Sequence, residues 1–215
     1  MSIYLLSPTS KNDTIHLPMI TFTVLNVDLD LSTYDVLMFT SKQAVLSAQI
    51  LNPNWKDIPC LAIGTATANI IRSLGGQVLH QAEDFYGKTL AKDIITKFRN
   101  KKIFYLRPTL VSFDSKYFLQ TAGLKLDEKI LYKTSCIKHK PKDKPLKNAI
   151  IIFTSPSTIR CFLKNFEWDD SYTAIVIGIA TKSHLPNNVK FFVADKPLID
   201  ACIVKAKEIL TANRL

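Results

Sequence analysis

The chain has 215 residues, 28 Lys and Arg against 18 Asp and Glu, and a net charge of +10, with 47% apolar and 10% aromatic residues. That length and apolar share suit one large or two small packed domains and exclude intrinsic disorder. The longest apolar runs, such as 149–153 and 174–177, are too short to span a bilayer. The start Met1-Ser2-Ile3-Tyr4-Leu5-Leu6 lacks the basic region and cleavage site of a signal peptide, so a cytoplasmic protein without membrane contact is expected.

In chain order, residues 3–6 and 20–25 are strand-like. The continuous apolar run 36–39 reads as a strand buried on both faces, ending at Thr40-Ser41, where an N-cap belongs, before a helical stripe of Ala44, Val45 and Ala48. A strand at 60–63 turns at Gly64 into a helix over 65–74, which Gly75-Gly76 terminates. A strand at 77–80, a helix at 88–98, a strand at 102–106, a helix near 113–121 and a strand at 129–132 follow. Strands alternating with helices of this length imply parallel sheets and a doubly wound α/β fold.

The chain then repeats itself. Val36-Leu37-Met38-Phe39-Thr40-Ser41 returns 114 residues later as Ile150-Ile151-Ile152-Phe153-Thr154-Ser155. Ile63-Gly64-Thr65-Ala66-Thr67 returns at the same offset as Ile177-Gly178-Ile179-Ala180-Thr181, and 77–82 matches 189–194 at an offset of 112. The second copy ends after a helix over 197–210 and lacks the last strands of the first. The N-terminal strands belong to no complete copy, so they are expected to join the sheet of the C-terminal one. The resulting domains are a discontinuous one, residues 1–24 plus 137–215, and an inserted one, residues 33–132, with linkers near 24–33 and 132–147. Two crossings imply a hinge, and a hinge implies a cleft.

Conventional catalytic motifs are absent. Gly87-Lys88-Thr89 resembles the tail of a phosphate-binding loop, but Ala82 stands where the first glycine belongs. There is no dinucleotide-binding glycine pattern, no nucleophile elbow, and no ligand or triad spacing among His16, His80, His139 and His184. Cys60, Cys136, Cys161 and Cys202 lie 76, 25 and 41 residues apart, which fits buried free thiols rather than a zinc site or an oxidised framework. The acid pairs Glu83-Asp84 and Asp169-Asp170 fit solvated faces or helix caps. Of the 28 basic residues 23 are Lys, which argues against base readout in a nucleic acid. The densest cluster, Lys138 to Lys147, is broken by Pro141 and Pro145 and reads as a solvated linker.

Hydroxyl-bearing helix N-termini are present instead, at Thr40-Ser41, Thr65 to Thr67, Thr154-Ser155 and Ala180-Thr181, each after a strand's carboxyl end. That edge is where open α/β sheets bind ligands, and free N–H groups there favour anions. Ordinary capping explains any one of them; four, duplicated, point to a polycarboxylate or polyphosphate.

These same residues, with Tyr132-Lys133-Thr134 and Ser157, resemble the uroporphyrinogen-III synthase family in order and spacing along nearly the whole chain. The resemblance implies two doubly wound α/β domains joined by a two-stranded linker, one of them built from both chain ends. It also implies conversion of hydroxymethylbilane to uroporphyrinogen III, with loss of water and inversion of the last pyrrole ring, without metal or cofactor. Tyr132 is then the candidate general acid, and Thr40, Ser41, Thr65, Thr67, Arg107, Thr154, Ser155, Ser157 and Thr181 are the candidate substrate-binding residues. Three departures stand out: a short turn at Lys11-Asn12-Asp13 in place of a helix, Ile179-Ala180 before Thr181, and Pro108 after Arg107. A monomer acting on a small molecule is expected. The alternative is a non-catalytic, two-lobed module of the same fold that binds tetrapyrroles or other polyanions, and a lysine-rich nucleic-acid binder rests on charge alone.

Overall fold

The computed structural model describes residues 1–84 and 86–212. The chain divides into two compact units: an inserted unit, Phe22–Thr134, and a terminal unit, Met1–Thr21 with Ser135–Leu215.

In the inserted unit, β4 (Val36–Phe39), β5 (Cys60–Ala62), β6 (Val78–Gln81), β7 (Ile103–Pro108) and β8 (Leu126–Cys136) form parallel pairs. With β3 (Ile20–Val24) at the edge, their order is β3-β8-β7-β4-β5-β6. The helices between them are α1 (Lys42–Leu51), α2 (Thr65–Ser73), α3 (Gly87–Lys97) and α4 (Ser115–Thr121). Alternation along β4 explains its unbroken apolar sequence. Leu37 and Phe39 pack with Val45, Ala48, Trp55 and Ile71 on one face, while Val36 and Met38 pack with Leu90, Ile94 and Leu119 on the other. Gly75, at φ +89°, closes α2 in the left-handed region that glycine enters without steric cost.

The terminal unit repeats this plan. Its sheet, order β11-β10-β9-β1-β2, is parallel throughout and comprises β1 (Ile3–Leu5), β2 (Ile15–His16), β9 (Ile150–Phe153), β10 (Thr173–Val176) and β11 (Phe191–Val193). Helices α5 (Pro156–Asn165), α6 (Ile179–Lys182) and α7 (Ile199–Ala212) complete it, and α7 covers Ile3, Leu5, Ile150, Ile152 and Ile175 with Cys202, Ile203 and Ala206. The series β9, β10, β11 corresponds to β4, β5, β6. The N-terminal strands β1 and β2 therefore occupy the places that β7 and β8 take in the inserted unit. The missing end of the second repeat is supplied by the start of the chain.

Two expectations need correction. Residues 20–25 do not join the C-terminal copy's sheet: β3 lies beside β8, where the Leu25 N–H donates to the Leu131 carbonyl at 2.8 Å. A five-residue strand of alternating apolar residues and threonines carries no mark of which sheet it will enter. Nor are all four cysteines free. Cys136, the last residue of β8 and already within the terminal unit, is disulfide-bonded to Cys161 in α5, with Cα atoms 5.2 Å apart. Strand end and helix meet only through packing, so a 25-residue spacing does not announce the pair. Cys60 and Cys202 are buried thiols, each pushed up to about 12 by burial.

Candidate active site

In the inserted unit, β4 ends on two neighbouring hydroxyls with separate partners. Thr40 Oγ1 lies 2.9 Å from the Tyr105 hydroxyl on β7, and Ser41 Oγ lies 2.9 Å from the Tyr132 hydroxyl on β8. Ser41 is also the N-cap of α1: its backbone is extended and its Oγ accepts from the Ala44 N–H at 3.1 Å. The register β4–β7–β8 brings the three strand ends together, with Leu106 opposite Phe39 and Tyr132 opposite Pro108.

The two phenols are covered. Burial pushes Tyr132 above its ordinary value of 10, the Ser41 hydrogen bond opposes that, and the neighbouring Tyr105 adds to it. Tyr105 is likewise raised by burial and lowered by Thr40 and Arg107. Both are phenols, not phenolates, at neutral pH. Tyr132 is 4% exposed, and its ring stands edge-on to Phe22 at 5.6 Å.

Beside them, Arg107 grips Glu128 through two hydrogen bonds, Nε to Oε2 at 2.7 Å and Nη2 to Oε1 at 2.9 Å. Its Nη1 donates to the Pro108 and Thr109 carbonyls at 2.8 and 3.2 Å. Lys116 reaches the same carboxylate at 3.4 Å. The hydrogen bonds from Arg107 hold the Glu128 carboxyl below the usual carboxylate range. Arg107 lies near the end of β7, with its guanidinium engaged inside the unit.

At the end of β5, Gly64 is the N-cap of α2 and supplies no side-chain cap. Thr65 is exposed and its Oγ1 accepts from Gln81 Nε2 at 3.1 Å, while Thr67 is buried in the first turn. The terminal unit reproduces these roles at the offset of 114. Ser155 caps α5 as Ser41 caps α1, accepting from the Thr158 N–H, and Thr158 Oγ1 accepts in return from the Ser155 N–H, each at 3.3 Å. Thr154 and Ser157 flank that cap and are half-buried, and Arg160 donates to Ser157 Oγ at 3.2 Å. Gly178 caps α6 without a side chain, and Thr181 is buried like Thr67.

The candidate residues thus fall into two sets. Thr40, Ser41, Arg107 and Tyr132 gather at one strand edge with Thr65 and Thr67 along it, and Thr154, Ser155, Ser157 and Thr181 hold the equivalent edge of the terminal unit. The first helical turns behind extended N-caps at these edges offer N–H groups to anions, and the hydroxyls offer directional hydrogen bonds. Sequence reasoning missed Tyr105, Glu128 and Ser115. Tyr105 had a signal, as the one polar group inside the apolar run Ile103–Leu106; Ser115, buried near the Tyr105 hydroxyl, had none.

A family model described as uroporphyrinogen-III synthase HemD matches residues 12–203. Among solved structures, the chain is similar to uroporphyrinogen-III synthetase from Helicobacter pylori 26695, with a TM-score of 0.81 and 25% identity, covering 97% of this chain and 99% of that one. It also shares its fold with a mutant uroporphyrinogen III synthase from the extremely thermophilic bacterium Thermus thermophilus, at a TM-score of 0.60 and 11% identity, covering 98% and 99% of the two chains. No curated protein matches it.

Proposed function

This chain belongs to the uroporphyrinogen-III synthase family, and on that premise we propose that it closes hydroxymethylbilane to uroporphyrinogen III, as a cyclising hydro-lyase that inverts the last pyrrole ring. The observation that carries the reading is the repeated strand edge: hydroxyl-bearing helix N-termini, twice over, on a chain of net charge +10. The linear tetrapyrrole carries an acetate and a propionate on each ring. N–H groups and hydroxyls at fixed spacing suit such a polycarboxylate, and a positive field draws it in.

The chemistry asks for positioning above all. The first ring's pyrrole nitrogen expels the hydroxyl, and the last ring must then attack through its substituted carbon rather than its free one. Fixing the bilane in the conformation that permits this is the main task of the binding residues Thr40, Ser41, Thr65, Thr67, Arg107, Thr154, Ser155, Ser157 and Thr181. Departure of the hydroxyl needs a proton, for which Tyr132 is the proposed source: a phenol held protonated, with its hydroxyl fixed on Ser41. We place the reaction in the cytoplasm, on a monomer.

The test is to supply hydroxymethylbilane generated enzymatically in the same vessel and to resolve the products by isomer. The III isomer in proportion to added protein supports the reading. The I isomer alone, at the rate seen without protein, rejects it.

A further inference from the structure

We propose that Ser41 is a second catalytic residue, standing between Tyr132 and the substrate and passing the phenol's proton outward; this rests on the reading of Tyr132 as the acid. Tyr132 is poorly placed to act by direct contact, because the residue is 4% exposed and its hydroxyl has Ser41 as its hydrogen-bond partner among the described residues. Ser41 is half-buried, so of the two residues it is the one more open to the surface.

The hydrogen-bond inventory of Ser41 sets the direction. A serine hydroxyl has one hydrogen and two acceptor sites. The Ala44 N–H fills one acceptor site at 3.1 Å, and the Tyr132 O–H, which as a buried donor must be satisfied, fills the other at 2.9 Å. Both lone pairs are then used and the Ser41 hydrogen is left to point away from Tyr132 and from the α1 backbone. The N-cap role adds rigidity: Ser41 is held by the first turn of α1 and Tyr132 by the paired strand β8, so the two oxygens keep their separation as the substrate arrives.

The step balances. The C–O bond of the hydroxymethyl group breaks as the oxygen takes the Ser41 proton and leaves as water. The pyrrole nitrogen's electron pair forms the new double bond, Ser41 Oγ takes the Tyr132 proton, and a phenolate remains with the Ser41 O–H now donating to it. When the last ring recloses, the proton lost from its carbon returns along the same path, and both residues are restored. A hydrogen bond to the ionised phenol is what favours its formation against burial.

The experiment measures formation of the III isomer by the single variants Tyr132→Phe, Ser41→Ala, Ser41→Asn and Ser41→Thr and by the double variant Tyr132→Phe/Ser41→Ala. Asparagine preserves an N-cap acceptor without a hydroxyl, and threonine preserves both, so loss of the cap is separated from loss of the relay. The expected result is that Ala, Asn and Phe each lower kcat by the same factor, roughly ten- to a hundredfold. The double variant is no slower than either single one, and Thr keeps most of the rate. In mixed H2O and D2O the wild-type rate should curve with isotope content, as two protons in flight require. Factors that multiply in the double variant, or a Ser41→Ala effect confined to KM, overturn the relay while leaving the acid in place. A Tyr132→Phe protein that makes the III isomer at full speed instead defeats the acid reading itself.

Discussion

Arg107 on β7 and Glu128 on β8 are joined by two parallel hydrogen bonds, 2.7 and 2.9 Å, across neighbouring strands. A guanidinium and a carboxylate meeting in this way form the strongest class of side-chain pair, and this one is only partly open to solvent. It pins the end of β7 to β8 at the point where the Tyr132 strand passes the ends of β4 and β7.

Glu128→Gln should therefore destabilise the fold by about 1–3 kcal/mol at neutral pH. The sign of the pH effect follows from the direction of the shift. The folded carboxyl is held below its ordinary range, so its contribution is present above the unfolded value and is lost as pH falls through the folded one. Melting temperatures of both proteins should begin to converge as pH falls below the ordinary carboxylate range, about pH 4. A constant gap down to acid pH would assign the effect to packing.

Burial pushes the Tyr132 phenol above 10, so it remains protonated across the neutral range. Formation of the III isomer should accordingly show no alkaline limb from this group below about pH 10. A limb near neutrality that disappears in Tyr132→Phe would contradict the raised value.

The thiols should behave in two classes. Native protein without reductant should take up no alkylating reagent, since Cys60 and Cys202 are buried and Cys136 is paired with Cys161. After reduction, Cys136 should label first, because it is exposed whereas Cys161 is buried. Opening the 25-residue loop should cost on the order of 3 kcal/mol of stability. Mass spectrometry before and after reductant, beside a melting curve, reads both; rapid labelling of untreated protein would show the pair to be open.

A methyl group at Gly76 would fall on the Trp55 ring, within 2.6 Å of Cη2 and 3.0 Å of the Ile71 side chain. Trp55 is fully buried, edge-on to Phe39, with its indole N–H on Gln49 Oε1, so it has no room to retreat. Gly76→Ala should cost about 1–3 kcal/mol in urea titration. An unchanged midpoint would mean that the turn, not the ring, yields.

Much of this molecule is written locally. The apolar runs of β4 and β9, the serines that cap α1 and α5, the glycines before α2 and α6 and their recurrence at an offset of 114 all follow from period and composition within a dozen residues, where backbone sterics and hydrogen-bond needs act directly. That was enough to reach the α/β class, the duplicated plan and the family. The pairings that give the site its chemistry are of another kind. Thr40 meets Tyr105 across 65 residues and Ser41 meets Tyr132 across 91, while Arg107 finds Glu128 and Cys136 finds Cys161 only because strand order and helix packing carry them together. β3 sides with β8 for the same reason. Each partner is one among many residues of its type, and sequence separation carries no distance; the choice among them is made by the sheet register, which exists only once the core has closed.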